Sequence, residues 1–254
     1  MKIITIPLND DNYGYLIIHE DTRSAALVDI SSQPEECKRV AAEHGVNIVM
    51  VLTTHKHWDH AGGNSAFRET NPVDILGSAR DDVEGCSRVV SDGDEVMLGD
   101  ISIRCILTPG HTMGHISYYV QHFGQRAVFT GDTLFVGGCG KFFEGTAEDM
   151  YGSLQRLAQL PPDTQVFCGH EYTLSNYRFA LSVDCHNRDL IEANESAKQK
   201  RERNEHTVPS TIGLELCTNP FMRVDEPSIA AMFSDCPDAV SVLSALREAK
   251  NNFK

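Results

Sequence analysis

Positive charge is scarce in this chain: 22 Lys and Arg stand against 36 Asp and Glu, for a formal net charge of −14 over 254 residues. Sequence-independent binding to nucleic acid depends on Lys and Arg neutralising phosphates, so that function starts from a disfavoured position. The shortage is greatest early, where residues 1 to 100 hold 18 Asp and Glu against 8 Lys and Arg. An anionic substrate would need a local basic patch elsewhere. Long apolar runs are missing too, since no stretch approaches the ~20 apolar residues of a membrane span. The segment Met1 to Pro7 lacks the apolar region of a signal peptide. A cytoplasmic location, with no membrane partner, is therefore expected. The eight cysteines (Cys37, Cys86, Cys105, Cys139, Cys168, Cys185, Cys217 and Cys236) contain no C-x-x-C pair and no short secreted framework. Reduced thiols in an intracellular compartment follow from that pattern. There is no internal repeat and no low-complexity tract.

What the chain has is a dense metal-ligand motif. The run Thr53-Thr54-His55-Lys56-His57-Trp58-Asp59-His60 packs three imidazoles and one carboxylate into six positions. Imidazole nitrogen and carboxylate oxygen suit zinc, iron or manganese, and four such groups cannot crowd onto one ion from so short a loop. Two adjacent metals are the inference. Taken singly, each histidine would read as a packing or hydrogen-bonded residue; the coincidence of four donors is what carries the signal. The preceding Val46 to Leu52 is apolar and β-branched, a buried strand that delivers the loop at its carboxyl end.

Strand-like runs dominate the first two thirds: 2–7, 13–19, 25–29, 46–52, 95–98, 101–107, 116–121 and 126–130. Helical signals interleave. Pro34 to Gly45 begins with proline and acids and ends in glycine. Thr146-Ala147-Glu148-Asp149 can cap a second helix, which Pro161-Pro162 stops. Strands mixed with flanking helices imply an α/β sandwich. From about Glu171 the texture turns helical, over 171–183 and 187–204, and a boundary is placed at residue 173, dividing 1–173 from 174–254. The charged 187–204 stretch reads as a solvated helix face.

Three further segments carry donors after strand-like runs: Thr108-Pro109-Gly110-His111-Thr112-Met113-Gly114-His115, Thr130-Gly131-Asp132-Thr133 and Cys168-Gly169-His170-Glu171. With T-H-x-H-x-D-H at 54–60, G-H-T at 110–112, G-D-T at 131–133 and Gly169-His170, the chain resembles the metallo-β-lactamase superfamily. Within it the resemblance is to the glyoxalase II, or hydroxyacylglutathione hydrolase, family. It extends through the stretches 131–135, 137–146, 168–173 and Asn219-Pro220-Phe221-Met222-Arg223.

The resemblance implies a four-layer αββα sandwich followed by an α-helical domain that contributes to glutathione binding. It implies that His55, His57 and His111 hold one metal, that Asp59, His60 and His170 hold a second, and that Asp132 bridges them, with Asp59 and Asp132 counted as catalytic. His115 falls outside that set and is expected to make a structural hydrogen bond; His19, His44, His122, His186 and His206 are expected at the surface or in packing. Lys141, Phe143 and Tyr172 would contact glutathione, and Arg247 and Lys250 of an R-x-x-K tail would bind its terminal carboxylate. The family commonly has tyrosine where this chain has Phe143, which removes one hydroxyl contact.

The implied activity is hydrolysis of S-D-lactoylglutathione and other S-2-hydroxyacylglutathiones to D-lactate and glutathione, the second step of methylglyoxal detoxification. Water shared by two cations loses its proton near neutral pH and attacks the thioester, and a thiolate of pKa ~8.5 leaves without a dedicated acid. Zinc is expected first, with iron or manganese as alternatives, in a monomer that binds no nucleic acid. Three competitors stand beside this: a single-iron glutathione persulfide dioxygenase, a metallo-nuclease, and a non-catalytic module that uses its metals structurally.

Overall fold

The computed structural model describes residues 1–253. Two six-stranded sheets face each other. The first consists, in spatial order, of β1 (Lys2–Leu8), β2 (Asn12–His19), β3 (Ser24–Val28), β4 (Asn47–Leu52), β5 (Asp74–Ser78) and β6 (Arg88–Val90). Its first two pairings are antiparallel and its last three parallel. The second sheet contains β7 (Glu95–Leu98), β8 (Ile101–Leu107), β9 (Ile116–His122) and β10 (Gln125–Gly131). It continues past the hairpin β11 (Leu134–Phe135) and β12 (Gly138–Cys139) with β13 (Gln165–Cys168), then β14 (Ser210–Thr211). The helices are α1 (Pro34–Glu43), α2 (Trp58–Ala61), α3 (Asn64–Thr70), α4 (Ala147–Ala158), α5 (Thr173–Val183), α6 (Arg188–Glu202), α7 (Ile212–Thr218), α8 (Pro227–Ala230) and α9 (Ala239–Asn252).

The two-residue period of a strand explains the layering. Along β2 every residue is buried. Tyr13, Tyr15 and Ile17 point between the sheets, where they meet Ile103, Tyr118, Val120 and Phe129, while Leu16 and Ile18 point outward onto Cys37, Val40 and Phe67 of α1 and α3. The second sheet does the same on its far side, packing Ile106, Val128 and Val166 on Met150, Leu154 and Leu157 of α4 and on Leu243 and Leu246 of α9. Burying each such side chain is worth about 1.5–3 kcal/mol. This is the expected αββα order, with α7 and α9 packed beside α4 and with α5 packed on α6.

Thr146 caps α4 as its sequence indicates: its hydroxyl accepts the Asp149 N–H at 3.2 Å and the Asp149 carboxylate accepts the Thr146 N–H at 2.8 Å. Strands β5, β6, β11, β12 and β14 had no counterpart in the sequence reading. The last crosses the expected boundary, because Ser210 and Thr211 pair with Val166 and Gln165 of β13. No helix among the described residues is long and apolar enough to cross a membrane.

Candidate metal centre and substrate pocket

The expected donors converge from four different strand ends. His55, His57, Asp59 and His60 follow β4, His111 follows β8, Asp132 follows β10 and His170 follows β13. His55 Nε2 and His111 Nε2 each lie 3.0 Å from His57 Nδ1. A tetrahedral ion with bonds of about 2.0–2.1 Å keeps its ligand atoms about 3.3 Å apart, so this triad is close to coordination spacing. Asp59, His60 and His170 form a second group, with His170 Nε2 3.3 Å and His60 Nε2 3.6 Å from Asp59 Oδ2. Asp132 reaches both: Oδ2 is 3.4 Å from His111 Nε2 and 3.4 Å from His170 Nε2, and Oδ1 is 3.2 Å from His60 Nε2. His60 Nε2 and Asp132 Oδ1 are fully buried yet make no hydrogen bond. Buried polar atoms without a well-directed hydrogen bond are costly, and a cation placed between these two would remove the cost.

The outward ring nitrogens of four of these histidines have partners of their own. His55 Nδ1 sits 3.0 Å from Thr54 Oγ1, His60 Nδ1 2.8 Å from Asp29 Oδ2, His111 Nδ1 2.9 Å from the Lys141 carbonyl and His170 Nδ1 2.9 Å from Asp11 Oδ1. Each acceptor takes the Nδ1–H and leaves Nε2 for a metal, the arrangement that orients ligating histidines. A third grouping, His19, Asp100 and His122, fails the same criterion. His19 Nδ1 accepts the Thr22 N–H at 3.2 Å, so its Nε2 keeps the proton it donates to Asp100 at 2.7 Å.

Backbone geometry admits these contacts only with glycine at two places. A Cβ on Gly169 would lie 2.4 Å from Asp132 Oδ1 and 2.7 Å from the His60 ring. Gly131 has φ +44°, and a Cβ there would meet His115 Nε2 and Thr54 Oγ1 at 2.6 Å. His115 lies outside the donor groups: its Nδ1 is 2.9 Å from Thr108 Oγ1 and its Nε2 accepts the Asp132 N–H at 3.1 Å.

Charge is divided unevenly across the centre. Burial holds the His55 and His111 imidazoles below their usual range, with neighbouring histidines adding to the effect. Burial would likewise depress His60 and His170, but Asp132 outweighs it, raising His60 well above its ordinary value and pushing His170 up to about 10. Burial would raise Asp132, yet His60 and His170 hold it well below the carboxylate range.

The centre opens into a cavity of about 440 Å³ lined by His111, Asp132, Lys141, Phe143, Tyr172, Arg247 and Lys250, so all five residues expected to contact substrate are there. Tyr172 stacks on His170 with ring centroids 4.7 Å apart. Phe143, 63% exposed, stands edge-on to His111 at 5.2 Å. Arg247 and Lys250 lie one turn apart on α9. Arg247 is buried, donating to the Cys139 carbonyl at 2.7 Å, and its Nε has no partner. Lys250 donates to the Ser175 carbonyl at 3.0 Å, and burial, with Arg247 and Arg178 nearby, pulls its ammonium down to about 8.

Sequence reasoning missed the residues that hold the donors in place. Asp29 accepts the Thr54 N–H and hydroxyl, both at 2.8 Å, as well as the His60 ring. Asn12 donates to the Asp59 carbonyl and carboxylate at 3.1 Å. Asp11 and Asn12 stand 158 or more residues before His170, a separation no local motif reveals.

Sheets, donor set and cavity together define a metal-dependent enzyme of the metallo-β-lactamase fold, and residues 12–170 match the metallo-beta-lactamase superfamily. Residues 171–253 match the hydroxyacylglutathione hydrolase C-terminus. The chain belongs to the hydroxyacylglutathione hydrolase family. It is 49% identical to the cytoplasmic hydroxyacylglutathione hydrolase of Arabidopsis thaliana over the whole of both chains. It is 43% identical to the hydroxyacylglutathione hydrolase of a Synechococcus strain, again over both full lengths. Among solved structures it resembles ETHE1 from Myxococcus xanthus, with a TM-score of 0.68 and 29% identity over 98% of this chain and 97% of that one.

Proposed function

We propose that this enzyme hydrolyses the thioester of S-D-lactoylglutathione, and of other S-2-hydroxyacylglutathiones, to the hydroxy acid and glutathione. One observation carries the reading: two donor groups sharing Asp132 open directly into a cavity that ends at two cationic side chains of α9. His55, His57 and His111 would hold one divalent ion and Asp59, His60 and His170 another, zinc first, with iron and manganese accepted by the same donors. Bound there, the ions acidify water and polarise the thioester carbonyl.

The chain's own residues supply the rest. Asp132 and Asp59 bring negative charge that offsets the ions, while the Asp29 and Asp11 carboxylates hold the rings of His60 and His170 in orientation. Lys141 and Tyr172 line the approach to the reacting carbonyl, and Arg247 with Lys250 pairs the tripeptide's carboxylate. These side chains supply the basic patch that an acidic protein needs for an anionic substrate. Phe143 offers an aromatic edge without a hydroxyl. The working division is a metal-bearing unit, 1–173, and a helical unit, 174–254, that completes the substrate site, in a cytoplasmic monomer.

The test is loss of thioester ultraviolet absorbance when metal-loaded protein meets S-D-lactoylglutathione. Oxygen consumption with glutathione persulfide, in place of hydrolysis, would replace this reading with the dioxygenase.

A further inference from the structure

Asp81, in the loop after β5, is the carboxylate that the metal ligands leave unexplained. Its side chain is wholly buried. Oδ2 accepts the Lys56 N–H at 3.2 Å and the Thr112 hydroxyl at 2.8 Å, and Oδ1 accepts the Gly114 N–H at 3.1 Å. Lys56 lies between His55 and His57, and Thr112 follows His111. One carboxylate therefore grips the backbone or side chain beside each of the three nitrogen donors of the His55, His57 and His111 triad. The approach is so close that a Cβ on Gly114 would lie 2.5 Å from the Asp81 nitrogen.

The grip extends to the substrate loop. Lys56 Nζ lies 3.9 Å from Asp81 Oδ1 and 2.6 Å from Glu144 Oε1, and Glu144 Oε2 accepts the Met113 N–H at 2.9 Å. Glu144 adjoins Phe143. The ligand loop 55–57, the ligand loop 111–114 and the loop that carries Lys141 and Phe143 are thus joined through Asp81, Lys56 and Glu144. Among the described residues Asp59, His60 and His170 share no hydrogen bond or ion pair with Asp81, Lys56 or Glu144; they are held by Asn12, Asp29 and Asp11.

We propose that Asp81 is a positioning residue that sets the spacing of the His55, His57 and His111 triad and governs metal affinity at that group alone. This rests on the two-group metal assignment of the proposed function. A buried carboxylate receiving three donors fixes two loops rigidly, and partners of this kind typically change metal affinity or activity by about 10–100-fold when removed. Asn at this position places an amide N–H₂ against donors whichever way it faces, so at least one contact is lost.

The test uses Asp81→Asn and the near-isosteric Thr112→Val, which removes a single donor to the carboxylate and so keeps the question answerable if Asp81→Asn fails to fold. Metal-free protein is titrated with Zn²⁺ against a chromophoric chelator, and thermal unfolding of the metal-free form is followed in parallel. The expected result is one equivalent weakened 10–100-fold in Asp81→Asn, less in Thr112→Val, with the other equivalent unchanged and the metal-free Tm of Thr112→Val close to the parent's. Parental affinity for both equivalents in the variants, or equal weakening of both, would overturn the assignment. A parent that takes up fewer than two equivalents would instead count against the two-metal reading itself, so the two failures are told apart.

Discussion

Lowering the pH should strip the two donor groups of metal unequally. His60 and His170 both belong to the group containing Asp59, and both attract protons in the metal-free protein, His170 with a pKa pushed up to about 10. Burial holds His55 and His111 below their usual range, so these two imidazoles bring no such protons to lose. A cation entering the Asp59, His60 and His170 group at pH 7 must displace the His170 proton across about three pH units, or about 4 kcal/mol, and the His60 proton besides. Because both pKa values are raised, the displaced protons are bound throughout the range below them. Affinity for this group therefore rises with pH by about tenfold per unit between pH 6 and 8 from the His170 proton, and the His60 proton makes the rise steeper. At the triad the dependence should be far shallower. Chelator competition at pH 6, 7 and 8, with proton release followed by a dye in weak buffer, reads both quantities. Near-equal pH dependence of the two equivalents, or no proton release, would refute the assignment of charge to these histidines.

Other outcomes follow from the same geometry. Gly169→Ala should fold but lose more than a hundredfold in hydrolysis and retain less metal, because its Cβ would occupy the space of Asp132 Oδ1; metal analysis and steady-state kinetics check this. Lys250, with its ammonium pulled down to about 8, loses its charge as pH rises through that value, so KM for a carboxylate-bearing substrate should climb above pH 8, and this climb should vanish in Lys250→Ala. Thr146→Ala removes the reciprocal cap of α4 and should cost about 1 kcal/mol, a Tm decrease of about 2–4 °C, with kcat unchanged.

The metal donors were legible because their chemistry is concentrated: three histidines and an aspartate in six residues, with further donors each at the end of a strand-like run. The layers were legible for a related reason, since β2, β8 and β9 alternate or saturate with apolar residues as strands of a sandwich must. Strands β5 and β6 were not, because Asp74–Ser78 has only Ile75 and Leu76 as apolar signal and Arg88–Val90 is three residues long; parallel pairing of β5 to β4, and of β6 to β5, makes them strands. Strand β14 exists only because β13 offers an edge. Asp29, Asp11 and Asp81 gave no sign, since a lone aspartate after a strand looks the same whether it faces solvent or a ligand's outer nitrogen. Asp29 even occupies the left-handed region, φ +52°, a feature only the folded chain reveals.

The central claim is that one dinuclear centre and one cationic tail act on the same thioester. The most direct measurement is S-D-lactoylglutathione hydrolysis during stepwise reloading of metal-free protein with Zn²⁺, with an Arg247→Ala/Lys250→Ala variant in parallel. Full activity reached at two equivalents per chain, with the variant defective chiefly through a raised KM, is the predicted result. No hydrolysis by fully loaded protein, or a variant indistinguishable from the parent, would contradict it.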